Sequence, residues 1–125
     1  MFSRFFDYIY IAATIGFTVY GQLILKWRVG HFGSLPPDLS GKLLFVLGVL
    51  LDPWVLSSLF AAFLASLTWI AAMSKFELSH AYPFMSLNFV VVLVLGAWLL
   101  NEPITVPKVL GVALIVLGTA VVARG

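Results

Sequence analysis

Long apolar stretches alternate along the chain with short segments that carry polar residues or proline. The four longest apolar stretches cover residues 5–27, 54–74, 79–100 and 106–123. Each is about 20 residues long, and an α-helix of that length crosses a hydrocarbon core of about 30 Å. The pattern therefore predicts an all-α membrane protein, with four transmembrane helices in a single domain over residues 1–125.

The polar segments between these stretches predict where the helices begin and end. Asp52 and Pro53 suit the cap and first turn of the second crossing, and Thr105 suits the cap of the fourth. The link at 75–78 is short, so the third helix must return beside the second, and Ser79 is a candidate cap for it. Four crossings place both termini on one side of the membrane.

A fifth apolar stretch, residues 41–51, is too short to cross a membrane. Its eleven residues span only about 16 Å as a helix, and Pro36-Pro37 and Asp52-Pro53 bound it. We expect a short helix that lies in the membrane interface. The alternative is that it forms the first half of a long second crossing broken at Pro53.

Composition and charge narrow the function classes. Of the 125 residues 62% are hydrophobic and 10% are charged, which fits a lipid environment. The chain has no Cys and two His, so we expect no disulfide and no metal site. The seven Lys and Arg are scattered, which argues against nucleic-acid binding. No phosphate loop, nucleophile motif or mid-helix carboxylate is visible, so neither catalytic residues nor a cofactor are expected.

The basic residues are nearly balanced between the two sides of the predicted membrane domain. The terminal side carries Arg4, Lys75 and Arg124, and the opposite side carries Lys26, Arg28, Lys42 and Lys108. Such balance is compatible with insertion in both orientations, and hence with an antiparallel dimer. The alternative is a single orientation, fixed by a partner or by the small residual bias.

Polar residues at membrane depth are candidate site residues because they are costly to bury in lipid. Thr14, Thr18, Gln22 and Lys26 recur at four-residue steps and form a slowly wrapping polar stripe on the first helix. Lys26 is either a ligand for an anion or a terminal lysine that extends to the headgroups. Gln22, one turn deeper, reaches the headgroups less easily.

On the third helix, Tyr82 and Ser86 share a face with Ser79, whereas Asn88 lies about 200° from Ser86 on a regular helix. Asn88 therefore lines the same cavity only if the helix is irregular, or else it faces a partner subunit. The structural alternatives are an interfacial aromatic for Tyr82 and a helix–helix hydrogen bond for Asn88.

Glycines mark a close-packing surface on the fourth helix. Gly111 and Gly118 are seven residues apart, so they share a face that permits close backbone approach, within or between subunits. Because four helices enclose little space, we expect a dimer, in which a second copy or a sister subunit completes a polar groove.

Together these residues resemble the small four-helix branch of the drug/metabolite transporter superfamily (small multidrug resistance-like or EamA-like). The run AYPFMSLNFV at 81–90, the Asn101-Glu102-Pro103 turn and the Gly21-Gln22-x-x-x-Lys26 motif are most similar to undecaprenyl-phosphate-aminoarabinose flippase subunits. The segment 30–52 is matched least.

Departures from the small multidrug resistance exporters are informative. Their proton-exchanging Glu would fall at Thr18 and their drug-site Trp at Met85, and both are missing here. The glycines that kink their third helix would fall at Leu87 and Phe89, so the resemblance does not carry that hinge over.

The resemblance implies a flippase-type carrier in a bacterial inner membrane that moves a polyprenyl-phosphate-linked sugar. Lys26 is the expected phosphate ligand, because a phosphate in hydrocarbon needs a cation. Glu102 pairs with a basic loop residue, contacts an amino sugar or caps the loop. The alternatives are a small-molecule or multidrug exporter, and a non-catalytic subunit of a heterodimeric flippase. The expected substrate-binding residues are Lys26, Gln22, Thr18, Tyr82, Ser86, Asn88 and Glu102, with Gly111 and Gly118 at the dimer interface.

Overall fold

The computed structural model describes the chain from residue 2 to residue 125, with side chains described from Phe6 onward. The side chain of Arg4, counted in the charge balance, lies outside the described residues. Over residues 2–125 all regular secondary structure is helical, with no strand. The helices are α1 (Phe2–Phe32), α2 (Leu39–Leu50), α3 (Pro53–Met73), α4 (Leu78–Met85), α5 (Asn88–Leu99) and α6 (Val106–Ala123).

Four helical spans within the described residues are long and apolar enough to cross a membrane, which confirms the predicted fold class. They are Phe6–Phe32, Pro53–Met73, Leu78–Leu99 and Val106–Ala123. The first helix continues five residues beyond the predicted end at Trp27, through Gly30, and ends just before Gly33, which has a φ of +86°. Lys26 and Arg28 are therefore helical residues. The short apolar helix is α2.

Side-chain caps begin α3 and α6 as predicted. The Asp52 carboxylate accepts the Val55 N–H at 3.2 Å, and the Thr105 hydroxyl accepts the Lys108 N–H at 3.4 Å. The start of α4 differs from the prediction. Its cap is Glu77, without a side-chain cap bond, and Ser79 lies inside the helix.

The third crossing is broken into α4 and α5 at Ser86 and Leu87. Around the break the backbone bonds connect residues three apart, including Ser86 N–H to the Pro83 carbonyl at 3.0 Å and Phe89 N–H to the Ser86 carbonyl at 3.0 Å. The Pro83 carbonyl also lies 3.1 Å from the Thr119 hydroxyl of α6. The helix is thus irregular at this point even though both kink glycines of the exporters are absent.

The closest helix pair is α1 with α3. At Gly21 the backbones approach so closely that a Cβ atom added to this residue would lie 3.1 Å from the Ser58 carbonyl oxygen. Ala61 and Ala65 continue the buried line on α3, and the hydroxyl oxygens of Thr14 and Thr68 lie 2.6 Å apart across the contact. Small side chains at this contact allow tight packing, which drives helix association in lipid.

Aromatic side chains hold the start of α4 against the start of α1. The Tyr8 hydroxyl lies 2.8 Å from His80 Nε2, and the His80 ring stacks on Phe76 with a centroid separation of 5.6 Å. Ala72 and Ala81 are fully buried in the same cluster. This packing fixes α4 beside α1 and α3, where it forms one wall of the cleft described next.

A polar cleft between α1, α3 and α4

A cleft of about 470 Å³ lies between α1, α3 and α4. The lining of α1 follows one helical face, on which neighbours are three or four residues apart. The side chains around the cleft are a mixture of aliphatic groups, hydroxyls, one amide and three aromatic side chains. They are Thr14, Phe17, Thr18, Gly21, Gln22, Leu25, Ser58, Leu59, Ala62, Ala65, Ser66, Trp69, Tyr82 and Met85.

Three of the predicted site residues, Thr18, Gln22 and Tyr82, line this cleft together. Exposure increases along the polar stripe of α1: Thr14 is buried, Thr18 is half-buried, and Gln22 and Lys26 are exposed. The physical reason is that each four-residue step advances about 40° beyond a full turn, so the stripe rotates out of the helix contact. Lys26 is consequently beside the cleft and does not line it.

The other predicted site residues lie elsewhere. Ser86 is the half-buried cap residue that ends α4, and Asn88 is the first residue of α5. The Asn88 side-chain oxygen is buried and has no hydrogen-bond partner in the described part of the chain. Glu102 lines a second cleft, of about 360 Å³, which also includes Lys108 and Gly111 and lies between α5 and α6.

Sequence reasoning missed the contribution of α3. Ser58, Ser66 and Trp69 line the cleft, and the Trp69 and Tyr82 rings meet edge to face with centroids 6.1 Å apart. The spacings of eight and eleven residues place the three side chains on one helical face, and this signal was available in the sequence. It was weak because hydroxyls in a membrane helix are often satisfied by their own backbone, as Ser66 is by Ala62 at 3.2 Å.

An ion pair joins the C-terminal part of α1 to the N-terminal cap of α3. Arg28 donates from Nε to Asp52 Oδ2 at 3.0 Å and from Nη2 to Asp52 Oδ1 at 2.8 Å. The Arg28 guanidinium also lies 5.0 Å from the ring centroid of Trp27. The hydrogen bonds from Arg28 hold the pKa of Asp52 below its usual range, against the raising effect of burial. Asp52 is therefore ionised at neutral pH.

The Asp52 and Arg28 pair was not predicted from the sequence, which indicated only a helix cap and a flanking cation. Its side chains are 7% and 21% exposed, respectively, so the pair is largely shielded from solvent. The signal was hidden because the two residues are 24 positions apart and only meet when α1 extends past Trp27.

Four helical spans of membrane-crossing length, three of which border the cleft, define a multi-pass membrane protein with the architecture of a small carrier. The EamA-like transporter family matches residues 8–124, and the chain belongs to that family.

Several curated relatives carry the descriptive name probable 4-amino-4-deoxy-L-arabinose-phosphoundecaprenol flippase subunit ArnE. The protein of this name from Pseudomonas aeruginosa (strain LESB58) is 31% identical over 115 residues, covering 91% of this chain and 94% of the relative. That from Serratia proteamaculans (strain 568) is 36% identical over 97 residues, covering 78% of this chain and 73% of the relative. No solved structure matches the chain.

Proposed function

We propose that this chain is a subunit of a flippase-type carrier that moves a polyprenyl-phosphate-linked sugar across a bacterial inner membrane. The observation that carries the proposal is the cleft between helices of membrane-spanning length, whose largely apolar walls carry the polar side chains of Thr18, Gln22 and Tyr82. Relatives that match over most of both chains are named as flippase subunits for a phosphoundecaprenol-linked amino sugar, which supports this substrate class. The chain moves its cargo without a covalent step and is not an enzyme.

The chemistry of the cleft suits such a cargo. The lipid tail remains in the bilayer, while hydroxyl and amide groups of the cleft replace water around the sugar. Ser86 and Asn88, at the break between α4 and α5, are proposed to reach the cargo as this segment moves, and Glu102 to contact an amino group. The buried, unpaired oxygen of Asn88 supports a role for that residue as an acceptor.

The phosphate needs a cation as it leaves the headgroup region. Lys26 is exposed, stands one turn beyond Gln22 on α1, and has no hydrogen-bond or ion-pair partner in the described part of the chain. An unpaired ammonium in this position is available to an incoming anion. We therefore assign the first contact with the phosphate to Lys26.

A second subunit completes the groove in this proposal. α6 is exposed along most of its length, and a Cβ atom added at Gly111 or Gly118 would have no neighbouring atom within 4 Å. The glycine face is therefore open for another helix to approach closely. The occupant is a second copy or a similar four-helix subunit, in accord with the word subunit in the names of the relatives.

Movement of defined polyprenyl-phosphate sugars between the two leaflets of liposomes tests the proposal, with the purified chain reconstituted alone and with a candidate sister subunit. We expect Lys26→Gln to abolish transport without changing folding, because the charge acts on cargo. Lys26→Arg should retain part of the activity, since the guanidinium keeps the charge but changes reach and geometry.

The matched control is Lys42→Gln, which removes an exposed lysine from α2. It should transport at the wild-type rate. If Lys26→Gln transports normally per folded molecule, Lys26 only anchors the helix at the headgroups and the phosphate assignment is wrong. If the wild-type chain transports none of these lipids in either form, the proposed function itself is wrong.

A further inference from the structure

We propose that Arg28 is a second phosphate ligand, held by Asp52 at rest and released to the cargo when the phosphate displaces the carboxylate. The inference rests on the proposed function, because it assumes a cargo with a phosphate. It assigns to the ion pair a binding role in addition to its structural one.

The first argument is position. Gly21 and Leu25 line the cleft, and Arg28 follows them on α1 at intervals of seven and three residues, which keeps it on the same helical face. Asp52, the N-cap residue of α3, stands seven residues before Leu59, another lining residue. Arg28 lies about 4.5 Å further along the axis than Leu25, at a rise of about 1.5 Å per residue. The pair therefore stands at one end of the cleft.

The second argument is hydrogen-bonding capacity. A guanidinium has five N–H donors, and Asp52 accepts two of those of Arg28. The remaining three have no partner in the described part of the chain. A phosphate oxygen can use these donors first and then exchange with the carboxylate, because both anions fit the planar fork of an arginine.

The third argument is that the Asp52 carboxylate keeps a hydrogen-bond donor when the phosphate displaces it from Arg28. Its Oδ2 already accepts the Val55 N–H at the start of α3, so the carboxylate keeps a hydrogen bond and a favourable helix terminus without Arg28. Trp27 meanwhile supports the guanidinium from one face, at 5.0 Å, in both arrangements. The exchange costs one ion pair and forms another.

Lys26 and Arg28 then have successive roles. The exposed Lys26 contacts the phosphate at the membrane surface, and the shielded Arg28 receives it at the end of the cleft. Breaking the pair also removes one of the contacts between the end of α1 and the start of α3, which the edge-to-face Trp27 and Trp54 rings, with centroids 5.5 Å apart, also join. Arrival of the cargo is thereby coupled to loosening of the helix pair that forms the cleft.

Asp52→Asn removes the negative charge but keeps the helix cap, because Asn caps a helix about as well as Asp. The full chain is placed in nanodiscs of neutral phosphatidylcholine, and binding of a polyprenyl phosphate without sugar is measured at equilibrium. The corresponding polyprenol serves as the reference ligand. We expect the variant to bind the phosphate about threefold to tenfold more tightly, since Arg28 is no longer neutralised. Binding of the polyprenol should not change.

Two further variants complete the test. Arg28→Gln should bind the phosphate about tenfold more weakly and the polyprenol normally. Asp38→Asn is the matched control: Asp38 caps α2 by accepting the Gly41 N–H at 2.9 Å and has no arginine partner in the described residues. It should leave both affinities unchanged.

If folded Asp52→Asn binds the phosphate no more tightly than the wild-type protein, the inference about Arg28 is wrong. The proposed function still stands in that case, provided that the wild-type protein binds the polyprenyl phosphate in preference to the polyprenol. If Asp52→Asn does not fold, Asp52→Ser replaces it with another uncharged cap. If neither Asp52 variant folds, Arg28→Gln decides: phosphate binding as tight as that of the wild-type protein overturns the inference. If none of the three variants folds, the inference is also overturned, because the ion pair is then purely structural. A wild-type chain that does not prefer the phosphate to the polyprenol contradicts the proposed function instead.

Discussion

The hydroxyl of Thr119 on α6 lies 3.1 Å from the carbonyl oxygen of Pro83 on α4. The same hydroxyl lies 2.9 Å from the Ile115 carbonyl of its own helix, so its single hydrogen is shared between two acceptors. In a regular helix the Pro83 carbonyl would accept the Leu87 N–H, but Leu87 instead donates to Phe84 at 3.0 Å. Thr119 thus supplies a donor to α4 at the break in the third crossing.

Thr119→Val should therefore loosen the contact between α4 and α6. The substitution keeps the shape of the buried side chain and removes only the hydroxyl, and the Pro83 carbonyl still accepts from Ser86. We expect a loss of about 0.5–1.5 kcal/mol in the free energy of unfolding, the usual net value of one hydrogen bond. Thermal unfolding in a mild detergent measures it.

The control for this change is Ser74→Ala. Its exposed hydroxyl bonds only to the Ala71 carbonyl of its own helix among the described residues, at 2.6 Å, so its loss should be nearly neutral. Equal stability of Thr119→Val and the wild-type protein would show that the interhelical bond contributes nothing measurable.

Two glycines of α1 should respond oppositely to alanine. At Gly21 a Cβ would meet the Ser58 carbonyl oxygen at 3.1 Å, whereas at Gly16 nothing lies within 4 Å. Overpacking typically costs about 1–3 kcal/mol, and replacing a helical glycine by alanine otherwise gains about 1 kcal/mol.

Gly21→Ala should consequently lower the unfolding temperature, and Gly16→Ala should raise it or leave it unchanged. Each variant serves as the control for the other, because both lie in the apolar part of the same helix. A Gly21→Ala variant as stable as Gly16→Ala would mean that α1 and α3 do not approach so closely.

The extent to which the sequence predicts this structure differs between the fold and the site. The four crossings, and the caps at Asp52 and Thr105, follow from local patterns of apolar length and turn chemistry. The break at Ser86 and Leu87 does not, because it involves a hydroxyl from a helix some 30 residues away, Thr119.

For the site, polar periodicity on α1 was enough to select Thr18 and Gln22, and it selected Lys26 by the same rule. The four-residue rule follows a line that slowly leaves the cleft face, and it overlooks the seven-residue interval from Gly21 to Arg28 that stays on that face. The packing of α3 on that face is tertiary structure, which local sequence patterns do not reveal. This packing determines that Arg28 is shielded and Lys26 is exposed.

Leucine at Gly111 or Gly118 should reduce self-association and leave the folded monomer intact. A Cβ added at either position would have no atom within 4 Å, so the first carbon of a larger side chain meets no obstacle inside the subunit. Between subunits it separates two backbones that would otherwise pack closely, at a typical cost of about 1–3 kcal/mol. The measurement is the dimer fraction in mild detergent, by analytical ultracentrifugation.

Gly48→Leu on α2 is the control, since that glycine also has nothing within 4 Å but lies outside the proposed interface. It should leave the dimer fraction unchanged. Wild-type dimer content in both α6 variants would remove Gly111 and Gly118 from the interface.

A carboxylate at Thr18 tests what charge the cleft accepts. Thr18 is half-buried on the cleft wall, and the resemblance to the small multidrug resistance exporters places their glutamate at this position. A negative charge there repels a phosphate, so Thr18→Glu should abolish transport of a polyprenyl-phosphate sugar in liposomes. Thr18→Gln has the same size without the charge and should retain more of the transport. Equal transport by the Glu and Gln variants would show that the phosphate does not pass near Thr18. If Thr18→Glu instead gains export of an organic cation, the exporter class is favoured, because such a cargo needs the carboxylate that the wild-type cleft lacks.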